Sequence, residues 1–222
     1  MSRLDKIDLV NYSRGEEWMN SISHMVGGAF AVVATILCVA RGIVLSRPDY
    51  LILSIVYGVT MITVYTCSAV YHALRNNRGK RAMRIVDHAM IYPMIAGTIT
   101  PFAVVVVVPL NAFLGWGLFI AIWLTVAIGM SITFALFNKT KVLQMVLYLA
   151  LGWSVLVTFV VLWKNFDHNA IFLMLAGGIA YTLGAIIYGI GAKKKYFHAI
   201  FHFFVILGSV CHFFGLYLYV FV

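Results

Sequence analysis

"AFAVVATILCVA" (residues 29–40) runs twelve positions without a charge. A membrane strand would need roughly ten residues of apolar and polar alternation, closed with others into a barrel. This run does not alternate, and neither does "AVVVVVP" (103–109). Both therefore read as helix, whose backbone hydrogen bonds are satisfied internally in lipid. A helical span takes about 20 mostly apolar residues. Working outward from residue 29 on that rule yields seven windows, 21–45, 50–74, 85–108, 112–136, 142–163, 170–192 and 196–221. The expected fold is all-α, a polytopic membrane protein of seven transmembrane helices.

Composition agrees. Of 222 residues, 63% are hydrophobic and 10% charged, against about 25% charged in soluble domains. With so little outside the apolar runs, the chain reads as a short N-terminal segment (1–20) and a single seven-helix domain (21–222). The first window is too long for a signal-peptide core of roughly 7 to 15 residues and is expected to stay as an anchor. A net charge of +9 raises the question of nucleic acid, but no soluble basic face with groove-reading or base-stacking elements accompanies it. The charge reads as topology. Thirteen Lys and Arg fall in the N-terminal tail and the second, fourth and sixth loops, and three (Arg41, Arg47 and Lys164) on the opposite side. By the positive-inside rule the N-terminus is cytoplasmic and the C-terminus outside, in a multi-pass protein of the cell membrane. The basic loop "RNNRGKRAMR" (75–84) is expected to touch anionic lipid headgroups.

Cys38, Cys67 and Cys211 are scattered without a C-x-x-C pair and read as small buried hydrophobes. Ala176, Ala180 and Gly184 put a slim face on the sixth helix, and Pro93 and Pro101 predict a kink in the third.

The polar residues inside these windows gather at one depth. "YFHAIFHFFV" (196–205) starts the last span with His198 and His202; His72 ends the second; Asp87 and His88 start the third; Glu17, Asn20 and His24 start the first. An ionisable group within a span is costly and turns toward partners inside the bundle. Residues at i and i+4 differ by about 40° around a helix and about 6 Å along it, so His198 and His202 both reach one ion, with His72 as a third nitrogen. Three imidazoles and one open position describe a catalytic zinc site better than a structural one, although nickel and iron also accept imidazole. Adjacent helical residues diverge by about 100°, so Asp87 is assigned to the site, to orient and deprotonate a water, and His88 to packing or hydrogen bonding nearby. Ser68, one turn before His72, is placed to bind a polarised substrate oxygen or to tether that water. Glu17, Asn20 and His24 share one face of the first helix and are expected to hold the ligand rings from behind. Other readings compete: Ser68 as a hydroxyl bonding its own i−4 carbonyl, Glu17 and Asn20 as helix caps, and Asp87 as a partner of Arg84.

Four segments in order, "EEWMNSISHMVGG" (16–28), "SAVYH" (68–72), "DHAMIYPMIAGTITPF" (87–102) and "HAIFHFFVILGSVCHF" (198–213), resemble the bacterial hemolysin III branch of the progestin and adiponectin receptor superfamily. The resemblance runs from about residue 16 to the end of the chain. It implies seven helices with a cytoplasmic N-terminus, and zinc held by His72, His198 and His202 with Ser68 and Asp87 beside it. By analogy with eukaryotic relatives and the similar alkaline ceramidases, it implies a lipid amidase; bacterial members are associated with control of membrane fluidity. Three functions follow as expectations: a zinc-dependent hydrolase of lipid amides or esters, a non-enzymatic membrane sensor with structural zinc, and a cytolysin. The last fits poorly, because a secreted pore-former must be soluble before it inserts.

Overall fold

The structure is a computed structural model and describes residues 3–191 and 194–222; Lys193, counted above among the basic residues, lies outside the described residues. Seven helices are long and apolar enough to cross a membrane: α1 (Arg14–Val44), α2 (Pro48–Ala73), α3 (Arg78–Leu110), α4 (Ala112–Lys139), α5 (Lys141–Asn165), α6 (His168–Gly191) and α7 (Phe197–Tyr219). Each of the seven predicted windows overlaps one of them.

The boundaries follow from local chemistry. Helix α1 starts seven residues before the apolar run, because Ser13 and Glu16 form a reciprocal cap. The Ser13 hydroxyl accepts from the Glu16 N–H at 3.3 Å, and the Glu16 carboxylate accepts from the Ser13 N–H at 2.9 Å. The capping expected of Glu17 and Asn20 therefore belongs to their neighbours. Pro48 opens α2, where its missing N–H costs nothing, and the Asn77 side chain caps α3 by accepting from the Lys80 N–H.

Helix α3 is interrupted. Its first stretch ends at Ala89 and the next begins at Ile91, with Met90 as a turn. Pro93 has no N–H for the Ala89 carbonyl and its ring crowds that oxygen. The Tyr148 hydroxyl on α5 donates to the neighbouring His88 carbonyl at 2.8 Å. Between Pro101 and Pro109 the chain widens into a π-helical turn, Ala103–Val107.

Helix α1 packs along α2 and α6 along α7, with α1 also against α7 and α2 against α3. The core is carried by Tyr57, Met61, Tyr65, Phe102 and Phe213. Large apolar side chains such as Phe113, Val142 and Ile190 are exposed on the outside, as a lipid-facing surface requires. The slim face on α6 is Gly177, Ala180 and Gly184, which are buried, while Ala176 is exposed. A Cβ at Gly177 would sit 2.4 Å from the His212 ring, so only glycine lets α7 approach there.

Candidate metal centre

One end of the bundle brings together the first turns of α1, α3 and α7 and the last turn of α2. His72 and His202 are buried and His198 is partly so. One ring nitrogen from each of the three falls within 4.8 Å of the others. The His198 Nε2 lies 3.1 Å from the His72 Nε2 and 3.1 Å from the His202 Nε2.

The far sides of two rings fix their tautomers. The His72 Nδ1 is 2.8 Å from a Glu17 carboxylate oxygen, which only accepts, so the ring carries its proton there and turns a bare Nε2 lone pair inward. The His202 Nδ1 is 3.2 Å from the Asn20 carbonyl and 3.0 Å from the Ser23 hydroxyl oxygen. Because Ser23 donates its own proton to the Asn20 carbonyl, His202 is also a donor on that side and a bare acceptor at Nε2. Two lone pairs thus flank one nitrogen of His198, which carries at most one proton and cannot satisfy both. Two nitrogens about 2.0–2.1 Å from one tetrahedral ion stand roughly 3.4 Å apart, close to the 3.1 Å spacing observed. The donor set fits a metal ion better than it fits itself.

Behind the three rings lie Glu17, Asn20 and His24. The Glu17 carboxylate accepts from the His72 Nδ1–H, the Asn20 side-chain nitrogen lies 3.5 Å from that same Nδ1, and the Asn20 main-chain carbonyl accepts from His202. His24 holds by its face instead: its ring stacks on His202 with centroids 3.5 Å apart, and neither of its nitrogens has a hydrogen-bond partner among the described residues. Ser68 and Asp87 both line a cavity of about 650 Å³ whose wall also includes His24, His198 and His202. Ser68 makes no i−4 back-bond, unlike Thr98 and Thr100 on α3, and its hydroxyl has no protein partner among the described residues. Asp87 pairs at 3.5 Å with His88 and not with Arg84. His88 bonds the Arg84 carbonyl and sets its edge against Phe137. His212 lies far along α7 from the triad and contacts the Met174 carbonyl.

Sequence reasoning missed three contributors. Ser23 sits inside the first quoted segment but was not singled out. Tyr12 precedes α1 and lies against His198 and His72, with ring centroids 5.3 and 5.7 Å away; burial pushes its phenol pKa up, so it stays protonated. Lys80 was counted among headgroup-facing charges, yet it is 1% exposed. Its ammonium donates to Glu17 at 2.5 Å and to the Leu74 carbonyl at 3.0 Å. Arg84 from the same basic loop is buried as well, so that loop points two of its cations inward. Lys80, Glu17 and His72 form a line in which the ammonium holds the carboxylate on the imidazole. Lys80→Met is expected to weaken any metal binding at these three histidines about 10- to 100-fold, measured by competition with a chromophoric chelator; unchanged affinity would mean that Glu17 orients His72 unaided.

Residues 12–213 match the family model described as Haemolysin-III related. The chain belongs to the haemolysin-III family. It is 34% identical to Hemolysin-3 of Bacillus cereus over 207 residues, covering 92% of each chain. It is 31% identical to the Hemolysin-3 homolog of Bacillus subtilis (strain 168), over 90% of this chain and 92% of that one. A haemolysin-III relative at 26% identity is the human monocyte to macrophage differentiation factor, covering 75% of this chain and 69% of that protein. No solved structure matches. Seven apolar helices and haemolysin-III membership make this a multi-pass integral membrane protein, and the bacterial relatives point to the plasma membrane.

Proposed function

We propose that this protein is a metal-dependent hydrolase of lipid amide or ester bonds, acting from within the bilayer and serving membrane lipid homeostasis. The observation that carries this reading is the convergence of three imidazole nitrogens, two of them from histidines in the wall of a largely apolar cavity. A zinc ion held by His72, His198 and His202 would supply Lewis acidity beside the scissile carbonyl. The chain's own residues do the rest. Asp87 takes a proton from the attacking water as the water oxygen bonds the carbonyl carbon. The Ser68 hydroxyl donates to the carbonyl oxygen as negative charge gathers on it. The C–N or C–O bond then breaks, and Asp87 returns the proton to the leaving nitrogen or oxygen, giving a carboxylic acid and an amine or alcohol. The long apolar walls seat the hydrocarbon and exclude bulk water.

The lysine and arginine bias supports placing the N-terminus and this site on the cytoplasmic side, with the exposed basic residues against anionic headgroups. The same three histidines would serve a non-enzymatic sensor with a structural ion, and the test separates the two. Purified protein with zinc bound is expected to cleave a synthetic fluorogenic lipid amide or ester, and to stop when a chelator removes the metal. Zinc-loaded protein that cleaves neither bond class would leave the sensor reading.

A further inference from the structure

Two cations of α3 lie buried, and they are treated differently. Lys80 has the Glu17 carboxylate at 2.5 Å. Arg84, 5% exposed, has no carboxylate within ion-pairing distance among the described residues. Its guanidinium donates to the Asp8 carbonyl and lies over the Phe137 ring at 5.5 Å. A carbonyl dipole and a ring face do not neutralise a charge, and buried charges in proteins are normally paired. Arg84 also lines the large cavity one helical turn before Asp87, and Lys141 and Lys194 line it too. Lys141 has its own partner in Asp8, at 3.4 Å. Elsewhere the same cavity runs between apolar side chains such as Met94, Phe102, Leu162 and Ile171. A buried cation without a counter-ion thus sits in the wall of a hydrocarbon-lined space.

We infer that the cavity takes an amphiphile bearing an anionic group, a carboxylate or a phosphate monoester, with that group against Arg84 and its hydrocarbon along the apolar walls. The guanidinium presents its donors in a planar fork that matches either oxyanion. The inference deepens the lipid reading above and rests on it for the use of the cavity, not for catalysis. A carboxylate would be the released acid; a phosphate would belong to a lipid headgroup.

Binding tests it without turnover. Zinc-loaded protein in uncharged detergent is titrated with oleate, ether-linked oleyl lysophosphatidate, oleyl alcohol, ether-linked monooleylglycerol and inorganic phosphate, none of which has an amide or carboxylic ester bond, and the thermal midpoint is followed. At least one anionic C18 compound is expected to bind about 10- to 100-fold more tightly than the two uncharged ones. Preference for oleate identifies the released acid, and preference for the lysophosphatidate identifies the headgroup. Inorganic phosphate alone should leave the midpoint unmoved. Arg84→Gln should erase the anionic preference while metal content and binding of the uncharged lipids persist, and Arg84→Lys should keep part of the preference. Equal binding of charged and uncharged chains by the wild type, a preference that survives Arg84→Gln, or a midpoint raised by inorganic phosphate alone overturns the inference. Because no bond is cleaved in these titrations, failure of the hydrolase reading shows up separately, in the fluorogenic assay.

Discussion

His202→Ala is expected to empty the metal site. Binding free energies of protein zinc sites are of order 10 kcal/mol or more, and three imidazoles share it here, so deleting one removes about 3 kcal/mol, on the order of a hundredfold in affinity. The loss is larger in practice, because the same substitution leaves the Asn20 carbonyl and Ser23 hydroxyl without their imidazole and takes the stacking surface from His24. After loading with zinc and dialysis against metal-free buffer without chelator, wild-type protein should keep close to one equivalent of zinc and the variant close to none. His202→Gln, which keeps volume and a donor toward Asn20, separates loss of the ligand from loss of the fold: it should run as a monodisperse species and still lack zinc. A full equivalent of metal in both variants would remove His202 from the site and the proposed chemistry with it.

Asp87→Asn should do the opposite, retaining zinc and losing turnover. The carboxylate is not among the three clustered histidines, and its own contact, at 3.5 Å, is with His88, so an isosteric amide leaves the imidazoles in place. An amide cannot accept the proton of the attacking water, and general-base catalysis contributes about 10²- to 10⁴-fold. Metal analysis and the fluorogenic assay on one preparation give both numbers. Turnover within a few-fold of wild type would assign the base elsewhere, with His24 the next group to test.

The scaffold was legible because the bilayer imposes a length rule on each span and tolerates few exceptions. The helix starts were less so, since α1 begins in polar sequence where the Ser13 and Glu16 cap, not hydrophobicity, decides the boundary. At the site, His72, His198 and His202 were readable because burying an imidazole is costly and their depths coincide. Lys80 and Arg84 were not, because a lysine in a basic loop looks the same whether it faces water or a carboxylate; only the tertiary position of Glu17 distinguishes them. His24 shared the expected face of α1 but works through its ring plane, a property that spacing cannot encode.

The three clustered histidines come from opposite ends of the chain, one on α2 and two on α7. Synthesis proceeds from the N-terminus, so His72 enters the bilayer five helices ahead of its partners. No ion can be gripped by all three until the final helix has been threaded and docked against the first pair. An ion held by all three would therefore report completed insertion, and a nascent chain stalled at its sixth helix has only one of the three rings to offer.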